Sequence, residues 1–385
     1  MKIIQIMDSL SVGGGVNSFV YDLCYALKEQ GCDVSLIGIL RSGYDSNQEI
    51  KKLRAAGIRV DCIGAVSKKN ALLYDIDKLR RVIKDVSKND QSICNLHLKL
   101  SVLMGVLATI GLKNVQCVET YHNTYHHYHL QCWICSPFIK KYICVSDTAK
   151  EEMHRRFKTP YRKLVAIPNG VSRSRIRTLA KIQEYKHQEG KIHIVSVGRL
   201  SYEKNFIVPV KAFVDVCNEN VRYTLVGSGP QEEEIRSVAS SNPYITLTGA
   251  LSRKETLQIL AKTDIVVMPS LWEGRSILQL ETMALDKPMI ISDVPGLREP
   301  FKEGALGNNE LFRVCDFGFL VRTSELKAYK MAIQSFVKNR KTINYTAIKE
   351  ISEQCDIQKV SRAYLIQYKE LVDKNVNEIE HHSIN

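Results

Sequence analysis

The sequence alternates short, unbroken apolar runs with longer helical patterns, and it does so in both halves of the chain. The first half contains runs such as "KIIQIM", "DVSLIGIL" and "SICNLHL", and the second half contains "IHIVSVG", "DIVVMPS" and "PMIISD". Strands that are covered on both faces in a parallel sheet are apolar throughout rather than at every second residue. Repeated βα units of this kind predict doubly wound α/β sheets, and two sets of them predict two Rossmann-like domains.

A length of 385 residues suits two domains, each with its own core. The predicted boundary follows "AIPNGV", because a polar, strongly charged segment then runs to about Lys191. We therefore expect an N-terminal Rossmann-like domain over 1–170, a linker over 171–190, a C-terminal Rossmann-like domain over 191–355 and a terminal helix in 356–385. Ligands of open α/β sheets bind at the carboxyl ends of the strands. With two such domains facing each other, we expect the site in the cleft between them.

The positive charge lies almost entirely in the first half of the chain. Residues 1–180 hold 27 Lys and Arg against 15 Asp and Glu, which accounts for 12 of the 13 net positive charges. Such asymmetry favours an anionic partner, either a membrane surface or a phosphorylated acceptor, although simple solubility would also explain it. Nucleic acid is disfavoured because no recognised binding motif accompanies the charge.

Cysteine content and hydropathy bear on the compartment of the protein. The chain has 11 cysteines and no recognisable signal peptide, which favours reduced thiols in the cytoplasm. Its longest apolar run, over 101–112, is too short to span a bilayer, which needs roughly 20 residues. We expect a cytoplasmic protein that associates peripherally with the inner face of the plasma membrane.

The stretch "DIVVMPSLWEGRSILQLETMALDKPMIISD" is the most informative one for function. A buried strand ends at Pro269, a loop carries Glu273 and Gly274, and a helix begins at "SILQ", which predicts an S-x-x-Q capping box. A helix entered from such a loop presents free N–H groups to an anion, typically a phosphate. Glu273 and Glu281 suit sugar hydroxyls better than phosphate. An ordinary βα unit with solvated glutamates remains the alternative.

Three further loops follow predicted strands. In "IVSVGRLSYEKNF", Arg199 and Lys204 follow the glycine that ends the strand, and two such cations can clamp a diphosphate. In "SVGGGVNSF" and "LVGSGP", glycines precede helices and allow the backbone to approach a ligand closely. Neither glycine run has the full dinucleotide-binding pattern.

Together these motifs resemble the retaining family 4 glycosyltransferases, which have the GT-B fold. The resemblance rests on the E-x7-E spacing in "EGRSILQLE" and on "GGG", "IPNGV", "VGRLSYEKNF", "VGSGP", "LTGALSRKE" and "MPSLWEG", in that family's order. It implies transfer of a sugar from a nucleotide-diphosphate sugar, UDP-linked above all, with retention of anomeric configuration and with no cofactor or essential metal. The acceptor would be a glycan or a lipid-linked saccharide, as in the synthesis of capsule, exopolysaccharide or lipopolysaccharide. The resemblance also implies that 1–170 is the acceptor-side domain, that 191–355 binds the nucleotide sugar, and that the terminal helix in 356–385 crosses back to the N-terminal domain.

The resemblance also implies roles for particular residues. Glu273 would contact hydroxyls of the donor sugar, Glu281 would hold the donor ribose, and Arg199 and Lys204 would bind the diphosphate. The catalytic set would be Glu273, His122, Arg199 and Lys204. The implied donor-binding residues are Gly14, Gly15, Gly198, Arg199, Lys204, Gly229, Leu251, Glu273, Gly274, Arg275, Ser276, Ile277, Leu278 and Glu281. Many members of the family have an aromatic residue where this chain has Arg275, so an arginine here could alter the choice of donor.

Two other functions fit the same architecture. A non-catalytic nucleotide-sugar-binding subunit would keep the site and act through a partner. A sugar-nucleotide 2-epimerase would convert the donor without any acceptor. For the transferase, loss of the diphosphate builds charge on a phosphate oxygen, which the two cations and the helix N-terminus would stabilise.

The stretch "TYHNTYHHYHLQCWIC" holds four histidines and a Cys-x-x-Cys pair. One such pair is only half of a zinc signature, so we expect no metal site here. His122 ends a strand and matches a family histidine that contacts the donor sugar. His126, His127 and His129 are expected in an acceptor-side loop, and the cysteines in a packed apolar run. His97 ends another predicted strand, where a substrate contact and simple packing are equally consistent with the sequence.

Overall fold

The computed structural model describes residues 1–11, 14–65, 72–88, 90–122, 129–181, 190–338 and 343–383, without the side chains of 65, 72, 129–131 and 374–383. The chain forms two compact units. The N-terminal unit comprises Met1–Gly170 together with Ile357–Asn385, and the C-terminal unit comprises Val171–Asp356. None of the helices within the described residues is long and apolar enough to span a bilayer.

A seven-stranded parallel sheet forms the centre of the N-terminal unit. Its strands are β1 (Lys2–Ser9), β2 (Asp33–Leu40), β3 (Arg59–Ala65), β4 (Ser92–His97), β5 (Val115–Tyr121), β6 (Ile139–Cys144) and β7 (Leu164–Ala166). Their order in the sheet is β3-β2-β1-β4-β5-β6-β7. The order reverses between β1 and β4, and in doubly wound sheets ligands bind outside the carboxyl ends of the strands at that reversal.

Helices cover both faces of this sheet. They are α1 (Gly15–Glu29), α2 (Gln48–Ala55), α3 (Leu72–Ser87), α4 (Lys99–Thr109), α5 (His129–Cys135) and α6 (Asp147–Phe157), with a 3₁₀ turn at Tyr161–Lys163. Every residue of β4 and of β5 is buried, as the unbroken apolar runs predict.

The C-terminal unit repeats the plan. Its strands are β8 (Ile192–Val197), β9 (Val221–Val226), β10 (Ile245–Gly249), β11 (Ile265–Met268), β12 (Met289–Ser292), β13 (Phe312–Cys315) and β14 (Gly318–Val321). They lie in the order β10-β9-β8-β11-β12-β14-β13, and only β13 runs antiparallel to its neighbour within this sheet. The prediction of two Rossmann-like α/β domains is therefore confirmed.

The helices of the C-terminal unit are α7 (Arg173–Ala180), α8 (Ile207–Phe213), α9 (Glu232–Ala239), α10 (Arg253–Lys262), α11 (Ile277–Ala284), α12 (Pro295–Arg298), α13 (Leu326–Lys338) and α14 (Tyr345–Gln354), with 3₁₀ turns at Tyr202–Lys204 and Glu299–Phe301. Helix α7 lies in the segment expected as a linker, yet it packs on α10 and α11. Arg173 and Arg177 each place a guanidinium nitrogen 2.7 Å from a carboxylate oxygen of Asp286. The charges of this segment thus hold α7 against the unit.

The last helix, α15 (Ile357–Ser383), belongs to the N-terminal unit and packs on α1. Tyr364 and Tyr368 on one face of it are fully buried. The Nε2 group of Gln116 in β5 donates a hydrogen bond to the carbonyl oxygen of Leu371 at 3.1 Å. The helix therefore contributes core side chains to a sheet whose strands all lie before residue 170.

Candidate functional site

The loop that carries Glu273 follows β11 and is tied to two neighbouring segments. The backbone N–H of Leu271 donates to the carbonyl oxygen of Glu203 at 2.8 Å, and Asn205 Nδ2 donates to that of Pro269 at 3.2 Å. From β12, the Ser292 hydroxyl donates to the carbonyl oxygen of Ser270 at 2.5 Å. Backbone contacts of this kind fix the position from which the Glu273 side chain extends.

The Glu273 carboxylate lies beside a cation and a hydroxyl. Lys204 Nζ donates a hydrogen bond to Glu273 Oε1, and the Ser270 hydroxyl donates to the same oxygen at 2.9 Å. The Lys204 and Glu273 side chains are 28% and 15% exposed, so both reach solvent in spite of their contact. The structure thus brings together two residues 69 positions apart that the sequence had assigned to one site.

The other predicted phosphate-binding cation, Arg199, is exposed on the loop after β8. That loop is layered on the loop after β9: the N–H of Leu200 donates to the carbonyl oxygen of Ser228 at 2.9 Å. A Cβ atom on Gly229 would lie 2.4 Å from the carbonyl oxygen of Leu200, so this approach requires glycine. Gly198 has its own N–H bonded to Val226 at 3.0 Å, which extends the β8–β9 pairing up to this loop.

Helix α11 begins beside Glu273 and presents an N-terminus without acidic residues. Ser276 is its N-cap and accepts a hydrogen bond from the Gln279 N–H at 3.4 Å. The predicted reciprocal half of the capping box does not form, because Gln279 Nε2 donates instead to the carbonyl oxygen of Leu297 at 2.8 Å. The N–H groups of Ile277 and Leu278 lie in the first turn, where helix geometry gives them no intrahelical acceptor. They are therefore suited to an anion.

Glu281 lies further along α11. Its side chain is 10% exposed, and its carboxylate accepts a hydrogen bond from Arg253 Nε at 2.9 Å. Arg253 is the first residue of α10, directly after Leu251 and the N-cap Ser252. The sequence had not indicated Arg253 as part of the site, because nothing local links it to a glutamate 28 residues away.

Arg275 extends towards α14. Its Nη2 group donates to Cys355 Sγ at 3.3 Å. The structure therefore gives this guanidinium a contact in the C-terminal unit, whereas the sequence alone suggested an effect on the donor sugar.

Gly296 in α12 packs against the backbone of the loop that carries Glu273. The sequence analysis did not identify this residue. A Cβ atom at this position would lie 2.1 Å from the carbonyl oxygen of Glu273 and 2.3 Å from that of Gly274. The signal available in the sequence was a glycine immediately after proline at the start of a helix, in "DVPGLRE". Glycine there lets α12 pack directly on the backbone of the Glu273 loop.

In the N-terminal unit, Gly14 and Gly15 mark the start of α1. Gly14 is the N-cap, with a φ of 92° that favours glycine, and the first turn of α1 has no acidic residue. This is the second helix N-terminus suited to an anion. Gly13 lies outside the described residues.

His122 follows β5 and is only 7% exposed. Its Nε2 atom lies 2.9 Å from Nδ1 of His97, which ends β4 and is fully buried. Burial lowers the pKa of His122 to about 3 and holds the pKa of His97 well below its usual value, since a charged imidazole would lose its hydration. Both rings are therefore neutral, and His97, which the sequence left open, is a direct partner of His122.

The Cys-x-x-Cys pair lies in and at the end of α5. Cys132 and Cys135 are free thiols, and Cys135 is fully buried in the hydrophobic core. Among the described residues no group of His, Cys, Asp and Glu could hold a metal ion. His126 and His127 lie outside the described residues, as does the side chain of His129.

A cavity of about 340 Å³ opens in the N-terminal unit where β2 and β3 end. Its lining includes Arg41, Tyr44, Arg54, Asp61 and Lys78. Arg41 pairs with Asp45 and Asp61 pairs with Arg59, whereas Arg54 and Lys78 donate to backbone carbonyl oxygens and have no carboxylate partner within the described residues. The cavity therefore has a positive lining.

Comparison with known proteins identifies the family. The model described as "Glycosyl transferases group 1" matches residues 178–353, and that described as "Glycosyltransferase Family 4" matches residues 13–175. Among curated relatives, the alpha-monoglucosyldiacylglycerol synthase of Streptococcus pneumoniae is 25% identical over 233 residues, which are 53% of this chain and 52% of the relative. A GDP-mannose-dependent alpha-(1-6)-phosphatidylinositol dimannoside mannosyltransferase of Mycobacterium tuberculosis is 28% identical over 163 residues, or 41% of this chain and 42% of the relative.

The chain spans about half the length of the curated relatives it matches. The likeness to solved structures extends over nearly the whole chain. Anabaena HepE in complex with UDP-glucose superposes with a TM-score of 0.74, at 15% identity over 97% of this chain and 100% of that one. This chain belongs to the group 1, family 4 glycosyltransferases and has their GT-B fold of two Rossmann-like domains.

Proposed function

We propose that the protein transfers a sugar from a nucleotide-diphosphate sugar, with UDP as the favoured nucleotide, to a glycan or lipid-linked saccharide, and that it retains the anomeric configuration. The observation that carries the proposal is the contact of Lys204 with Glu273 beside the N-terminus of α11. A cation and free N–H groups suit the diphosphate, and the adjacent carboxylate suits sugar hydroxyls. HepE, a relative in fold, was solved with UDP-glucose, which supports the choice of UDP.

The proposed reaction breaks the bond between the anomeric carbon and the β-phosphate oxygen. Arg199, Lys204 and the first N–H groups of α11 stabilise the charge that develops on that oxygen. The acceptor oxygen bonds to the anomeric carbon on the same face, and its proton passes to the departing phosphate. Glu281 holds the ribose, and His122 contacts a hydroxyl of the donor sugar.

We assign Glu273 the role of a sugar-binding group rather than that of a nucleophile. Its Oε1 atom already accepts hydrogen bonds from Lys204 and from Ser270, and both bonds withdraw electron density from the attacking oxygen. Mass spectrometry of the protein incubated with donor tests this role. An adduct of the sugar on Glu273 would replace the same-face reaction with a double displacement.

The transferase proposal is tested by a thermal-shift panel of nucleotide sugars followed by assays of donor hydrolysis. Stabilisation by one donor, with slow release of its nucleoside diphosphate, is expected. Binding without any turnover, with or without acceptor, would favour the non-catalytic subunit. Conversion of the donor to another sugar nucleotide without acceptor would favour the epimerase.

We further propose that the acceptor carries an anionic group and lies at a membrane surface. The cavity lined by Arg54 and Lys78 offers two cations that have no carboxylate partner in the part of the chain that the structure describes. Two of the relatives are named for lipids, one as an alpha-monoglucosyldiacylglycerol synthase and the other as a phosphatidylinositol dimannoside mannosyltransferase. A role in cell-surface polysaccharide synthesis at the inner face of the plasma membrane would follow.

An exposed apolar patch on the N-terminal unit supports the membrane part of the proposal. Trp133 is 77% exposed, and Ile134 and Phe138 are 42% and 45% exposed. Lys163 Nζ donates to the carbonyl oxygens of Ser136 and Ile139 at 2.9 and 2.8 Å, which places a basic segment against the same turn. Aromatic side chains flanked by cations are typical of surfaces that bind anionic lipid. We expect the protein to float with phosphatidylglycerol vesicles but not with phosphatidylcholine vesicles. Equal flotation with both kinds of vesicle, or flotation with neither, would refute binding to an anionic membrane surface.

A further inference from the structure

His122 stands at the end of a buried chain of hydrogen bonds that crosses three strands of the N-terminal sheet. The chain runs from Thr120 on β5 through Asn95 on β4 and Gln5 on β1 to His97, and from there to His122. The heavy-atom distances along it are 3.0, 3.0, 2.6 and 2.9 Å. All but His122 are at most 1% exposed, so no water competes for these bonds.

The direction of the bonds follows from which atoms can donate. Thr120 Oγ1 donates to Asn95 Oδ1, and Asn95 Nδ2 donates to Gln5 Oε1. His97 Nε2 has two neighbours: the donor Asn95 Nδ2 at 3.2 Å and Gln5 Oε1 at 2.6 Å. The shorter contact is to Gln5 Oε1, which can only accept, so it assigns the His97 proton to Nε2. His97 Nδ1 then has a lone pair, so His122 Nε2 must be the donor of the bond between the rings.

This direction determines what His122 presents at its other nitrogen. With its proton on Nε2, a neutral His122 has an unprotonated Nδ1. Nδ1 is buried and has no hydrogen-bond partner among the described residues. A buried acceptor without a partner is costly, so a hydrogen bond donated to Nδ1 would stabilise the site. Burial lowers the pKa of both histidines, which keeps both rings neutral at physiological pH. The chain of hydrogen bonds, which we call the relay, therefore stays intact.

We propose that Gln5 and His97 are positioning residues that hold His122 in the Nε2–H tautomer, so that Nδ1 accepts a hydrogen bond from a hydroxyl of the donor sugar. The inference rests on the proposed function only for the identity of that ligand. The proposal restricts which donor sugars can bind. A sugar that has a hydroxyl at this position donates a hydrogen bond to Nδ1. A deoxy sugar leaves Nδ1 unpaired, and a sugar carboxylate would bring a negative oxygen against the Nδ1 lone pair, which is repulsive.

The tautomer is measurable in the ligand-free protein. In protein labelled with ¹⁵N-histidine, long-range ¹H–¹⁵N spectra distinguish a protonated nitrogen from an unprotonated one in each ring. The His122→Phe variant assigns the His122 signals by their loss. At pH 7 we expect His97 and His122 to be neutral with the proton on Nε2. A proton on His122 Nδ1 would mean that both amides and both rings run in the opposite direction, and a charged ring would break the relay; either result overturns the proposal.

Two substitutions at His97 separate positioning from packing. In His97→Asn, the Asn oxygen falls near the place of His97 Nδ1 and still accepts from His122 Nε2, so the His122 tautomer and the kcat/KM of donor hydrolysis should stay close to wild type. In His97→Leu no acceptor remains, so the single tautomer should be lost and kcat/KM should fall about tenfold, the effect of one lost hydrogen bond. Thermal melts establish that each variant is folded.

The outcomes separate this proposal from the proposed function. If His97→Leu keeps the wild-type tautomer, or if His97→Asn loses activity as severely as His97→Leu, positioning by His97 is refuted. If the wild-type protein hydrolyses no nucleotide sugar, the proposed function fails, while the spectra still decide whether the relay exists.

Discussion

Replacement of Gly296 by alanine should disable the site without replacing any residue that we propose to contact substrate. The backbone of Gly296 does not have a positive φ angle, so alanine meets no conformational penalty there. Its Cβ atom, however, would lie 2.1 Å from the carbonyl oxygen of Glu273, and ordinary contacts begin near 3.4 Å. The Glu273 backbone must therefore retreat by about 1.3 Å.

A displacement of this size has a predictable cost. Misplacement of a reacting or positioning group by about 1 Å can lower the rate on the order of 100-fold. The insertion of one methyl group into packed structure destabilises a fold by about 1–3 kcal/mol, which a domain of this size can survive. We therefore expect Gly296→Ala to remain folded in urea titrations while kcat/KM for donor hydrolysis falls about 100-fold.

Gly304→Ala is the matched control. Gly304 lies in the same unit, is exposed, and a Cβ atom on it would have no neighbour within 4 Å. Its activity and stability should equal those of the wild type. A Gly296→Ala protein with wild-type kcat/KM would refute the reasoning, because the position of the Glu273 backbone would then not matter to the reaction.

Four other perturbations have expected outcomes. Lys204→Met removes the cation bonded to Glu273 and should lower kcat for donor hydrolysis about 100-fold, the effect of losing one preorganised donor, as measured by nucleoside diphosphate release. Arg54→Ala removes a cation from the positively lined cavity and should raise the KM for an anionic acceptor about tenfold, more than it raises the KM for the donor. Burial raises the pKa of Glu119 to about 8, so the native carboxyl keeps a proton that the unfolded chain loses near pH 4.5; wild-type Tm should fall as pH rises from about 5 to 8, and Glu119→Gln should flatten that slope. Trp133→Ser should reduce flotation with anionic vesicles.

Each of these has a contradicting result, and three have a control variant in the C-terminal unit. Lys211→Met and Arg236→Ala alter exposed residues of the same types as Lys204 and Arg54, and Val337→Ser alters an exposed apolar residue; all three should behave as wild type. The reasoning about Lys204 or Arg54 is wrong if the variant and its control are equally active. An equal slope of Tm against pH in Glu119→Gln would contradict the buried, protonated carboxyl, and unchanged flotation of Trp133→Ser would contradict its role at the membrane.

The sequence predicted those parts of the molecule that leave a local signal. The unbroken apolar runs indicated buried parallel strands, and the strand-to-loop-to-helix pattern around Glu273 indicated a helix N-terminus capped by Ser276; both are present. Contacts between distant residues leave no such signal. Neither the bond from Gln5 to His97, which are 92 residues apart, nor the approach of Gly296 to Glu273 can be recognised from spacing. Local rules also fail where a tertiary partner competes, as when Gln279 binds Leu297 instead of completing its capping box.

The place of α15 has a consequence for how the chain folds during synthesis. Residues 1–170 leave the ribosome first. The core of the N-terminal unit also needs Tyr364 and Tyr368, however, and these are synthesised only after the whole C-terminal unit. We therefore expect the usual order, in which the first domain made is the first to fold, to be reversed here. The C-terminal unit can fold while the N-terminal sheet still lacks α15. We expect this incomplete state to be the one that chaperones bind, and a chain that ends before α15 would remain in it.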